Sequence, residues 1–299
     1  MAREDFVYGK DIVEAVLEDM DELPTIAGGD YVAQAKRFVR KSYWDILTRY
    51  KWPWAMSPTP GVIVTEEAVS ISVQSISGAN VTLTAPIATS KAGFKFYIDA
   101  NNAVYRVLSH TAGTASLVLD AAYAESGTGI GKLYQDEYEV VDANVLKIWS
   151  PFQVRGQWWQ PLEIITSDEF DSIYGRGWSA GPSPFEKSTE LAYSEDGIKR
   201  YRFAPWSEEK VAVEYDYTKL HDLDYSGTST DIPKVPREFR HIIVDLALYN
   251  AYVSKEDNRA IDKRTEAENN IMEMANVYFT PEHAQLFMKP RNSLSLGLN

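Results

Sequence analysis

Residues 233–279 constrain this chain most. Phe239, Ile242, Ile243, Leu246, Ala247 and Val253 recur at helical spacing and predict one apolar face of a helix over 236–254. Pro236 falls in the first turn, where its missing N–H has no partner to lose. Lys255-Glu256-Asp257 is a short polar break. Beyond it Ala260, Ala267, Ile271, Met274 and Tyr278 form a second stripe, which predicts a helix over 257–278. So short a loop makes the pair antiparallel. Ala260, Ala267 and Ala275 leave room for a further helix to approach closely. The hairpin has a second face to cover, and the other long helical pattern lies at the N-terminus.

There, Ile12, Val13, Val16, Leu17 and Met20 predict a helix over 9–23, ended by Pro24. Gly28-Gly29-Asp30 reads as a turn with Asp30 as N-cap. A second helix follows over 31–50. Ala35, Phe38, Val39, Ser42, Tyr43, Ile46 and Tyr50 share one arc of it, and Lys36, Arg37, Arg40 and Lys41 share the opposite arc. Such a basic arc is either a solvated helix face or a docking patch for an acidic partner or DNA phosphates. Pro53 stops the helix between Trp52 and Trp54, a large apolar plug read as a lid on the helices.

From 61 to 134 the period switches to two, with alternating runs at 69–74, 81–84, 94–98, 104–108 and 116–119 separated by turn residues such as Ser77-Gly-Ala-Asn and Ala112-Gly-Thr. Five or so antiparallel strands in a sandwich or barrel are expected there. Further strands, a short helix at 167–174 and a Gly/Pro-rich loop at 175–184 lead to the polar linker 222–231. The expected fold is therefore α+β: a helical bundle made by N- and C-terminal hairpins, with a large inserted antiparallel β region. The corresponding segments are 1–57 (first hairpin), 58–135 (inserted β-module), 136–231 (second β region), 232–279 (second hairpin) and 280–299 (extended tail).

Motifs that could carry chemistry lack their context. Gly177-Trp-Ser179-Ala-Gly181 matches a hydrolase elbow, but a helix pattern precedes Ser179, and Pro182 and Pro184 block one after it. Gly127-Thr-Gly129-Ile-Gly131-Lys132 lacks both the earlier glycine and the following Ser or Thr of a phosphate loop, and a strand pattern follows it. His110, His221, His241 and His283 form no metal-spaced pair, and His221-Asp222-Leu-Asp224 offers at most a loose cation site. Trp158 and Trp159 are adjacent, so on a strand only one can line a sugar site. There are no cysteines, which removes thiolate metal sites and thiol nucleophiles. No basic start with an apolar run follows Met1, and no stretch of about 18 apolar residues occurs, so neither a leader nor a membrane span is expected. A net charge of −13 argues against broad gripping of nucleic acid and suits DNA sliding past. No enzyme activity, cofactor or metal is expected.

The Tyr50–Trp54 aromatic-Trp-Pro-Trp cluster after a helix pair, the Leu133-Tyr-Gln-Asp-Glu-Tyr138 run, and the Ile232-Pro233…Pro236 entry into a hairpin together resemble the head-to-tail adaptor (connector) proteins of tailed bacteriophages. The resemblance is carried by about 9–54 and 232–279. It implies a virion structural protein, assembled in the host cytoplasm, that forms a homo-oligomeric ring (a dodecamer, from the family) below the portal protein. Such a ring joins the capsid to a downstream tail protein and passes DNA without specific binding or catalysis. It also implies that the C-terminal tail lodges in the portal, which assigns Leu286, Phe287, Met288, Arg291, Leu294, Leu296 and Leu298 to portal binding. Alternating leucines suit an added strand or a groove anchor. The second reading is a carbohydrate- or receptor-binding structural protein of a tail or cell surface, using the β-module. The third is a hydrolase centred on Ser179.

Overall fold

The computed structural model describes residues 6–20, 29–98, 103–124, 128–140, 144–155, 161–174, 185–191, 198–226 and 229–279. Among them are five α-helices and thirteen β-strands. The helices are α1 (Gly9–Asp19), α2 (Gly29–Arg49), α3 (Ser167–Tyr174), α4 (His241–Ser254) and α5 (Arg259–Tyr278). The chain divides into two compact units, one from Met1–Pro58 with Tyr217–Asn299, the other Thr59–Asp216.

A helical bundle carrying an inserted β region is not the architecture. The described chain sets thirteen strands, gathered into a seven-stranded sheet and a closed barrel, against five helices. The sequence reading went wrong first at α4, which starts at His241 after a 3-10 turn at Arg237–Phe239, not at Pro236. It has no single apolar stripe either. Every residue from Ile242 to Leu248 is buried, while Val253, assigned to the buried face, is exposed. A helix covered all round has neighbours on several sides, and α4 lies against α1, α2 and α5.

Three side-chain arrangements fasten this helical unit. The Trp52 ring stacks on Trp54 and on Phe279, each at 5.4 Å between centroids, and its indole N–H donates to the Ile46 carbonyl at 2.7 Å. Both Arg49 guanidinium ends meet Glu268 at 2.7 Å, joining α2 to α5. Arg240 is buried and donates to the carbonyls of Phe6, Val7, Pro233 and Val235.

In the second unit, β2 (Val69–Ser77), β3 (Asn80–Ile87), β4 (Lys95–Ile98), β5 (Tyr105–His110), β6 (Thr114–Leu119) and β7 (Gly129–Tyr134) close into a barrel in the order β2-β3-β6-β5-β4-β7. The alternation seen in sequence fills its interior with Val73, Val81, Leu83, Phe96, Val107, Leu117, Leu119 and Leu133. Gly131 pairs with Ile98, and a Cβ there would sit 2.5 Å from the Tyr97 carbonyl oxygen, so close pairing at this point demands glycine.

The other sheet has seven strands. It joins β1 (Gly61–Val64), β8 (Glu137–Glu139), β9 (Val145–Val154), β10 (Pro161–Ile165), β11 (Lys187–Glu190), β12 (Arg200–Ala204) and β13 (Ala212–Lys219) in the order β1-β13-β9-β10-β11-β12-β8. Residues 61–64, expected at the start of the same module as the barrel strands, thus belong to a different sheet. Its core is aromatic: Phe152 meets Tyr201, Phe203 and Tyr215 edge-on, and Tyr138 stacks on Phe203. The parallel pair β10–β11 needs a crossover, and α3 lies in it.

Candidate functional site

The basic arc of α2 lies along a groove of about 620 Å³. Ala33, Lys36, Arg37 and Arg40 form one side, and Asp222, Leu223, Asp224, Tyr225 and Asp231 of the following loop form the other. The loop opposes the helix with carboxylates, and each has an internal task. Asp222 pairs with the Arg40 Nε at 3.1 Å. Asp224 accepts from the Ser226 backbone N–H and hydroxyl, which hold its carboxyl below the usual range. Asp231 accepts from the Asp224 backbone N–H at 2.9 Å. Lys41 points elsewhere, donating to the Asn250 side-chain oxygen at 2.9 Å. The four basic residues are thus split: Lys36, Arg37 and Arg40 share the groove, and Lys41 joins α2 to α4.

Behind the groove, Tyr43 is buried, and burial pushes its hydroxyl well above the usual tyrosine range. That oxygen accepts the Lys234 backbone N–H and lies 2.9 Å from His221 Nδ1. This hydrogen bond ties the His221 ring to α2. Burial first, and then the nearby Lys234 charge, lowers the His221 pKa. His221, Asp222 and Asp224 therefore serve three different partners and do not converge on a cation. Among the described residues no group of three or more acidic or histidine side chains is placed to hold a metal ion.

The remaining sequence motifs resolve as follows. Gly129, Gly131 and Lys132 lie in strand β7, with no helix after them. His110 accepts the Lys91 backbone N–H on Nδ1 and faces the Thr114 carbonyl with Nε2, a brace between β5 and β6. Ser179, Gly127, Trp158, Trp159, His283 and the tail residues Leu286, Phe287, Met288, Arg291, Leu294, Leu296 and Leu298 lie outside the described residues. No helix among the described residues is long and apolar enough to cross a membrane.

Sequence reasoning missed a buried charge cluster in the β unit. Asp136 is 2% exposed and receives Lys95 Nζ at 2.6 Å and Arg202 Nε at 2.9 Å. Arg202 also lies over the Phe170 ring and 3.6 Å from Asp171. The available signal was the unusual Tyr-Gln-Asp-Glu-Tyr run, polar residues between aromatics at the end of a strand.

No protein-family model and no curated protein matches the chain.

Proposed function

We propose that the chain is a virion structural subunit, a head-to-tail adaptor whose copies form a ring below a portal, connect capsid to tail and let DNA pass. The observation that carries this reading is the stack of Trp52 on Phe279. The two stretches that resemble adaptor proteins, 9–54 and 232–279, are far apart in sequence yet share one core. The role is mechanical, with no bond made or broken. The charge of −13 keeps DNA from adhering to the subunits it slides past. Pairing of Arg40 with Asp222 further offsets the basic arc of α2. Leu286, Phe287 and Met288 supply the apolar contact with the portal, and Arg291 adds attraction to an acidic rim.

Negative-stain electron microscopy of the purified protein, alone and mixed with isolated portal rings, tests this. Closed rings that co-sediment with portal are expected. Removing residues 280–299 should leave the circular-dichroism spectrum intact and abolish co-sedimentation. Isolated subunits under both conditions would overturn the reading.

A further inference from the structure

The seven-stranded sheet ends on β1 at one side and on β8 at the other. Both edges line a single cleft of about 470 Å³, which contains Val62 and Val64 from β1 and Glu137 and Glu139 from β8. Tyr138 spans the cleft at one end: its hydroxyl donates to the Gln135 carbonyl at 2.6 Å and accepts the Glu66 backbone N–H. The sheet thus curls until its two edges look onto the same space without pairing.

The ladders determine which backbone groups face that space. Ile63 opposes Val213, Gly61 opposes Tyr215, and the Thr65 N–H donates to the Val211 carbonyl. In an antiparallel ladder the intervening residues turn their N–H and C=O away from the partner, so Val62 and Val64 aim theirs away from β13. On β8 the Phe203 N–H donates to the Asp136 carbonyl, and the Val140 N–H donates to the Lys199 carbonyl. Glu137 and Glu139 accordingly aim away from β12. The Gln135 side-chain amide covers one of these groups, the Glu137 carbonyl. An edge of this kind is a template for another strand. Here two such edges border one cleft, and a strand between them has backbone partners on both sides.

We propose that the cleft takes residues 293–298 of a second copy of this chain as an added β-strand. Ser293-Leu-Ser-Leu-Gly-Leu298 alternates small and apolar residues, the period that a strand requires. Its leucines then fall on one face, beside Val62 and Val64, large apolar side chains that are 42% and 53% exposed. Cross-strand apolar pairs of this type hold a strand in register. Residues 280–292 supply the reach. Extended at roughly 3.3 Å per residue, thirteen residues span about 43 Å. A linker of that reach lets the segment leave its own subunit and enter a neighbouring copy. Donation from each copy to its neighbour is a head-to-tail contact, the kind that closes into a ring. The inference depends on the ring reading only for placing copies side by side. It moves Leu294, Leu296 and Leu298 from the portal contact to the contact between copies and leaves Leu286, Phe287 and Met288 with the portal.

The absence of cysteine makes the test direct. Full-length Val64→Cys protein is mixed with full-length, size-tagged Leu296→Cys protein, whose thiol lies on the leucine face, and oxidised. A disulfide between the two proteins is expected at about tenfold the yield seen when Glu169→Cys, on exposed α3, replaces Val64→Cys. Val62→Cys serves as a second reporter one register step away. Val64→Pro removes a cleft-facing N–H without touching the β1–β13 ladder, so it should break apart the rings while leaving the melting temperature unchanged. A disulfide formed only inside the Val64→Cys/Leu296→Cys double variant, and not between singles, would overturn the second copy as donor. Yields at the control level for both reporters would overturn the cleft as the acceptor. If the wild type still forms rings in that case, the adaptor reading stands and only this inference fails.

Discussion

Trp52 and Phe279 stack with their ring centroids 5.4 Å apart and their planes 24° from parallel. Trp52 is fully buried between Trp54 and Phe279, so the segment leaving α2 and the end of α5 share one aromatic layer. Trp52→Ala should cost about 3–5 kcal/mol, because it opens a cavity and leaves the Ile46 carbonyl without its donor. Trp52→Phe keeps the stack and should cost about 1–2 kcal/mol less than the alanine variant. Urea denaturation followed by helical circular dichroism reads both. Equal midpoints for Trp52→Ala and wild type would show that the layer is not structural.

The Asp136 cluster predicts a second asymmetry. Asp136→Ala leaves Lys95 and Arg202 buried without their shared carboxylate, which should destabilise the β unit by about 3–5 kcal/mol. Adding Lys95→Met and Arg202→Met to Asp136→Ala removes the stranded charges and should recover most of that loss. Hydrogen exchange of β4 and β12 amides reports the site, and loss of protection confined to the helices would contradict the assignment.

The pH dependence follows from His221. Its folded pKa lies below the unfolded value, so the folded state binds fewer protons between the two. Stability is therefore complete above the unfolded value of about 6.5 and falls as the pH drops through the folded one. Asp245 runs in the opposite direction, raised by burial against the pull of Lys263. The informative quantity is the difference between wild type and His221→Gln, in which Asp245 cancels. That difference should shrink as the pH falls from about 7.5 to about 5.5. Parallel thermal-melting curves over this range would mean that His221 is not held neutral.

Local patterns were legible in the sequence where one face is wet. Val81 and Leu83, or Leu117 and Leu119, alternate with polar neighbours, and these segments form strands of the barrel. The stretch 242–248 misled, because a helix buried on every side carries no stripe, and the few positions fitting a stripe hid the rest. The placement of β1 was not legible for a different reason. Its partner β13 begins at Ala212, and nothing in Gly-Val-Ile-Val indicates which distant strand will pair with it. At the candidate site, the basic arc of α2 could be read from spacing. Its opposition by Asp222 could not, since that depends on how the 222–231 loop returns across the helix.

The central position of α4 also bears on synthesis. Helices α1 and α2 leave the ribosome about 190 residues before α4 begins. At roughly 5–20 residues per second, that is a wait of about ten to forty seconds. During it Ile12, Val16, Tyr43 and Ile46, all fully buried in the finished protein, have no α4 to cover them, while every strand of the barrel has already been made. The nascent chain therefore passes through a stage at which its barrel can close while its first two helices are still sticky, and that interval is when a chaperone has most to protect.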